Sequence, residues 1–360
     1  MMKRRILLCL SVLLLTGCGR DAAQLTVVTG LGVDGQPGEY QIGAEVIRLT
    51  DQSDSGQSTF LSGDGLTLTD GINRMVSMTG RSLYCNHTQV LLVSRKTARE
   101  GIRPLLEELL RGNQYPVSLR LAVVKESACK AMQAKPVVSD MHSVELEDMI
   151  REGSKQCLSP DVDVCSFYQE VAAPGIEGIL PFMEMRQNGK DQVCTLSGAA
   201  LFQGENMMSV LNERDTRCLL WMRGQKGGTL VTEHAVFEVV SLNREIKASQ
   251  EQGTLHIKLT LKASENEDQK EALKQEAQDA LQMQCESLLR QLKKLKCDAV
   301  GFGNQIYRTK QKDWNPIAKQ WPELFSEYPI EVQVTVEDII WGRIWSTEGT
   351  KQLEEAEYGS

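Results

Sequence analysis

Residues 264–296 read SENEDQKEALKQEAQDALQMQCESLLRQLKKLK, from Ser264 to Lys296. Leu273, Ala277, Leu281, Cys285, Leu288, Leu292 and Leu295 recur every three or four positions, which places them on one stripe of a helix. Ser264 and Glu267 have the spacing of a capping box, in which each side chain satisfies a free backbone N–H of the first turn. Acids crowd the first turns and Lys293, Lys294 and Lys296 the last, matching the helix dipole. The pattern predicts a helix over about 265–296 that packs along its whole length, most simply on the neighbouring sheet. A coiled coil with a partner is the alternative.

Outward from this helix, residues 231–241 and 254–262 read as strands before it. Residues 330–336 read as one after it, with Ile330, Val332, Val334 and Val336 on a shared face. Upstream, 193–202 and 207–211 resemble a hairpin, followed by a helix over 213–222. The N-terminal half predicts strands over 25–33, 40–49, 89–94 and 117–125. It predicts helices over 70–79 (capped by Thr69), 98–110, 143–155 and 161–171, with a polar loop over 50–59. Hairpins alternate unevenly with helices, so the expected class is α+β, with mixed or antiparallel sheets and packed helices in two or three domains, and not a doubly wound sheet. The Pro- and Gly-containing stretch 174–181 and the polar run 187–192 make the best boundary. The expected division is an N-terminal α+β region over 18–185, of one or two subdomains, a C-terminal α+β domain over 193–346, and an acidic tail over 347–360.

The chain has 360 residues, 24% of them charged and 41% hydrophobic, with a net charge of −8. This composition excludes a disordered chain, a collagen and a polytopic membrane protein, and the acidity argues against a general grip on nucleic acid. The first residues set the address. Lys3-Arg4-Arg5 is a basic start, and 6–15 is an apolar run too short to span a bilayer, which needs roughly 20 residues. Leu15-Thr16-Gly17-Cys18 has the form of a bacterial lipobox. Residues 1–17 are therefore read as a signal peptide, and Cys18 as the lipidated anchor on the outer face of a membrane. Cleavage removes three positive charges, so the mature chain carries −8 − 3 = −11.

The chemistry motifs are weak. Gly30-Leu31-Gly32-Val33-Asp34-Gly35 matches a dinucleotide fingerprint, but Gln36-Pro37-Gly38 leads into another strand where that chemistry needs a helix, so a hairpin is the better reading. His87, His142, His234 and His256 fall on different elements. Glu145, Glu147 and Asp148 near His142 fit a helix N-terminus better than a metal site. Beyond Cys9 and Cys18 there are eight cysteines: Cys85, Cys129, Cys157, Cys165, Cys194, Cys218, Cys285 and Cys297. None forms a C-x-x-C pair, and most are expected to be buried and reduced. Asn86-His87-Thr88 satisfies a glycosylation pattern that a bacterial lipoprotein makes irrelevant. No catalytic, cofactor-binding or metal-binding residue is assigned, and Cys18 is the one site.

The segment Leu196-Ser197-Gly198-Ala199-Ala200-Leu201-Phe202, continuing through Met207 to Gly224, resembles a hallmark of the Ger(x)C family, the lipoprotein C subunits of spore germinant receptors. Asp298-Ala299-Val300-Gly301-Phe302-Gly303 with Ile306-Tyr307-Arg308, Trp314 and Trp321 looks like that family's second signature. The stretches Val27-Val28-Thr29-Gly30-Leu31-Gly32-Val33-Asp34 and His87-Thr88-Gln89-Val90-Leu91-Leu92-Val93 fit as well. Two features depart from the family pattern: few acids follow Cys18, and the cysteine count is high. The resemblance implies a non-enzymatic, cofactor-free subunit on the outer face of the spore inner membrane, in complex with integral membrane A- and B-type subunits. Such a complex responds to small nutrients and starts germination, and direct small-molecule binding by this subunit is not expected. Two competing readings are an envelope hydrolase, which needs two convergent carboxylates or a metal, and a solute-binding lipoprotein, which needs a deep cleft between lobes.

Overall fold

The computed structural model describes residues 26–48, 58–263 and 269–341. The signal peptide, Cys18, the capping box at Ser264 and Glu267 and the acidic tail lie outside the described residues. Two mixed sheets organise the rest, so the α+β class holds.

The first sheet opens with β1 (Thr26–Gln36), β2 (Glu39–Arg48) and β3 (Ser58–Gly65), and continues through α1 (Leu68–Thr79), β4 (Leu83–Tyr84) and β5 (Val90–Ser94). Next come α2 (Arg95–Glu100), α3 (Arg103–Arg111), β6 (Arg120–Val124), α4 (Ala128–Met132), α5 (His142–Lys155) and α6 (Val164–Ala172). The sheet ends with β7 (Ile179–Asn188), β8 (Asp191–Gln203) and β9 (Asn206–Leu211). The strand order is β3-β2-β1-β5-β6-β7-β8-β9, with β4 beside β1. Its middle is more regular than the expected hairpins: β1, β5, β6 and β7 run parallel, and helices join β5 to β6 and β6 to β7. Both faces are covered. Leu91, Val93, Leu121 and Val123 pack on one side and Val90, Leu92, Ala122 and Val124 on the other.

The second unit begins with α7 (Glu213–Met222), β10 (Thr229–Val231), β11 (Val236–Ala248) and β12 (Gly253–Ala263). It continues with α8 (Lys270–Lys294), α9 (Phe302–Thr309), α10 (Gln311–Trp314), α11 (Trp321–Glu327) and β13 (Ile330–Trp341). The strand order is β10-β11-β12-β13, with β12 and β13 parallel. The α8 stripe lies on this sheet. Leu273, Ala277, Leu281, Cys285, Leu288 and Leu292 share one buried core with Leu255, Ile257 and Leu259 of β12 and with Val334 and Val336 of β13.

The sheet is thus the helix's packing partner within the chain. Leu295, expected to end the stripe, is only partly buried, and Leu289 joins the core instead. A polar row on α8 seals the edge of β13. Gln282 Oε1 accepts from Val334 N at 3.1 Å and Gln278 Oε1 from Val336 N at 3.3 Å. Gln282 Nε2 donates to Val332 O at 2.7 Å and Lys274 Nζ to Glu337 O at 3.0 Å. An exposed strand edge would otherwise invite pairing with other chains.

Several local expectations are corrected. The helix expected over 98–110 is two helices: Gly101 has φ +115, and Pro104 in the first turn of α3 has no N–H to continue the ladder. Thr67 caps α1, where Thr69 was expected. Strand β3 occupies the end of the expected polar loop. Strand β7 takes up the end of the expected linker over 174–181, and the polar run 187–192 is the turn that pairs β7 with β8 in the first sheet.

Candidate functional site

Three stretches distant in sequence meet where the first sheet adjoins the second unit: 170–178 before β7, 202–204 at the β8–β9 turn, and the signature 297–304. The fully buried Asp298 carboxylate organises the meeting point. Oδ1 accepts from Gly301 N at 2.8 Å and Phe302 N at 3.2 Å, and Oδ2 from Gly303 N at 2.8 Å and Trp321 Nε1 at 3.1 Å. These bonds cap α9, whose first N–H groups have no partner within the helix. Burial still outweighs the four hydrogen bonds and holds the carboxyl above its usual value.

Arg223, at the end of α7, clamps two of these stretches, 170–178 and 297–304, together. Its Nη1 pairs with Glu170 Oε1 at 2.6 Å, Nη2 donates to Glu177 O at 2.8 Å, and Nε donates to Ala299 O at 2.6 Å. Glu177 N donates to Asp298 O at 3.1 Å, and Glu177 Oε2 accepts from Gly204 N at 2.8 Å. Burial first, and the nearby Asp298 and Glu170 charges second, push the Glu177 carboxyl up to about 7, against the pull of the Gly204 N–H. Gly175 has φ +72, and a Cβ there would lie 2.3 Å from the carbonyl carbon of Gly303. Only glycine permits that approach. The joint is a hydrogen-bonded connection with two raised carboxyls, Glu177 and Asp298, at its centre.

The first-sheet motifs have a similar use. Gly30-Leu31-Gly32-Val33-Asp34-Gly35 runs along β1 into a hairpin with β2, with no helix following it. Gly30, Gly32 and Asp34 share one face by strand alternation. A Cβ on Gly32 would lie 2.6 Å from Ala128 O, so the glycine lets α4 approach, and Asp34 caps that helix through Ala128 N at 2.7 Å and Cys129 N at 3.1 Å. Glu45 caps α5 through His142 N at 3.0 Å and Ser143 N at 2.8 Å. Glu108 does the same for α1 through Leu68 N at 3.0 Å and Thr69 N at 2.7 Å.

His142 is buried, which pushes its imidazole down, and its Nε2 lies 3.0 Å from Ala131 O. The acids near it in sequence serve other partners: Glu145 accepts from Val137, Val138 and Ser139 N–H groups, and Glu147 pairs with Arg120. Among the described residues no group of three or more His, Cys, Asp or Glu side chains is placed to hold a metal. The eight described cysteines are free; seven are buried and Cys165 is half-buried. Burial pushes the Cys85, Cys157 and Cys194 thiols up to about 12, which suppresses the nucleophilic thiolate. Sequence reasoning missed Glu170, Glu177 and Arg223, because nothing in their spacing marks a contact made across three distant stretches.

Residues 19–185 match the family model described as spore germination protein N-terminal domain, and residues 197–339 the one described as spore germination B3/GerAC like, C-terminal. The chain is 21% identical to the putative spore germination protein YfkR of Bacillus subtilis (strain 168), over 93% of this chain and 97% of that one. It is 20% identical to spore germination protein KC of the same organism, over 91% and 93%. The crystal structure of the GerBC protein superposes with a TM-score of 0.57 at 16% identity, covering 86% of this chain and 97% of that one, a likeness of fold.

Proposed function

The chain belongs to the Ger(x)C family of spore germination proteins, and from that premise we propose that it is the lipid-anchored, non-catalytic subunit of a nutrient germinant receptor. A role in spore germination comes with the family. The finer reading adds Cys18 as the lipidated residue, the outer face of the spore inner membrane as the location, and integral membrane A- and B-type subunits as partners. In this reading the division between the domains 18–185 and 193–346 falls in the β7–β8 hairpin, so that β8 and β9 of the C-terminal domain complete the sheet of the N-terminal one.

The observation that carries the non-catalytic reading is the engagement of the inner carboxylates. Asp34, Glu45 and Glu108 each cap a helix from a distant part of the chain, and Asp298 caps the helix that follows it, which favours a scaffold over a hydrolase. No helix of the described residues is long and apolar enough to cross a membrane. Attachment through two acyl chains would hold the chain stably, at ~0.8 kcal/mol per buried methylene. The test is Cys18→Ala, followed by membrane fractionation and mass spectrometry of the N-terminal peptide. The expected result is a soluble or unprocessed protein without lipid. Unchanged membrane retention, with no lipid in either form, would overturn the anchoring.

A further inference from the structure

A cleft of about 520 Å³ opens beside Val27, next to the first described residue of β1. Tyr84, Pro116, Ser118 and Met141 line it, with Arg120 and Glu147 paired at 2.7 Å in its wall. Exposed apolar side chains lie on the segments that line it or lead into its lining. Tyr84 is 40% exposed and Val117, between two lining residues, 62%. In the loop that leads to Met141, Val137 is 59% and Val138 90% exposed. The Glu145 carboxylate accepts the N–H groups of Val137, Val138 and Ser139, which fixes this loop while its two valines face outward. Four apolar side chains held outward on three separate segments mark a contact surface.

The position of Cys18 argues for the occupant. It lies eight residues before Thr26, and a fully extended chain of that length reaches at most about 28 Å. Resting on the proposed lipidation of Cys18, we infer that this rim is the face that meets the bilayer, with Tyr84, Val117, Val137 and Val138 dipping into the headgroup–acyl boundary. The short tether keeps the cleft end near the lipid surface, and the apolar rim gives that end a reason to stay there. Arg120 pairs with both Glu147 and Asp161, and Glu147 also with Arg151, so neither Arg120 nor Glu147 opposes the contact as an unpaired charge. Asp140, exposed in the same loop as the two valines, favours a zwitterionic surface over an anionic one.

The test uses the full lipidated chain in phosphatidylcholine vesicles, with a photoreactive diazirine analogue in place of Val117 or of Val138. Val236 of β11, 58% exposed, is the control of matched exposure. After illumination, mass spectrometry reads adducts at each position and the modification of Cys18 in the same digest. The expected result is lipid adducts at 117 and 138 at least tenfold above those at 236. Equal yields at the three positions, no lipid adducts at 117 and 138, or adducts there to a second copy of the chain would overturn the inference. Lipid on Cys18 together with any of those outcomes removes the orientation alone, whereas an unmodified Cys18 removes the anchoring reading on which it rests.

Discussion

The α8 seam and the Asp298 joint hold the second unit by opposite means. The seam is apolar: six stripe residues from Leu273 to Leu292 bury against the sheet, each large one contributing about 1.5–3 kcal/mol. It is non-directional and indifferent to pH. The joint is polar and directional, with one carboxylate receiving four N–H groups and one guanidinium tying α7 to the stretches 170–178 and 297–304. A seam tolerates apolar exchange of similar volume, while a joint fails when one partner is removed, because the other partners are left buried and unpaired.

The largest effect is expected in the seam. Leu281→Asp buries a carboxylate with no partner and should unfold the second unit, a loss of about 4 kcal/mol or more in denaturant titration. Glu286→Gln, on the exposed side of α8, should change stability by less than about 0.5 kcal/mol. If Leu281→Asp kept its thermal midpoint and lost a binding partner, the stripe would be an interface after all.

Asp298→Ala tests the joint. It strips partners from Gly301, Phe302 and Gly303 N–H groups and from the Trp321 indole, at a cost of about 3–5 kcal/mol. Asp298→Asn, which keeps an acceptor, should cost less. Equal stability of all three proteins would mean that the joint contributes nothing to the fold.

Glu177 sharpens the contrast through pH. Its carboxyl is raised from an ordinary 4.5 to about 7, so the folded chain holds a proton that the unfolded chain releases. The contribution is complete below pH 4.5 and is lost as pH rises through 7, a swing of up to about 3 kcal/mol. Glu177→Gln keeps an acceptor for Gly204 N, so it should weaken the fall in stability between pH 5 and 8, leaving the share of the raised Asp298 carboxyl, and stabilise the chain at pH 8. An unchanged pH profile would place the titration elsewhere.

The same contrast explains what the sequence made legible. The α8 stripe, the β8–β9 hairpin and helix α7 were readable because their signals are local: periodic apolar residues and turn residues. Strand β7 was missed because Ile179, Leu180, Phe182 and Met183 are all buried, on different faces, so the run does not alternate, and Pro181 reads as a break. Strand β3 was missed because it is a polar edge strand. Helix capping by Asp34, Glu45 and Glu108 was invisible for another reason. Each acid lies dozens of residues from the helix it caps, and no local pattern encodes that distance. The signature around Asp298 was noticed by resemblance, while its role as a joint emerged only with its partners in place.

As proposed above, the chain serves a germinant receptor as a subunit and performs no chemistry of its own. The most direct measurement is the nutrient response of spores lacking the chain, read alongside the activity of the purified full chain on peptidoglycan. The expected result is that such spores form in normal numbers and lose the response to one nutrient class, and that the purified chain leaves peptidoglycan intact. Unchanged responses to every nutrient class, or cleavage of peptidoglycan by the purified chain, would contradict it.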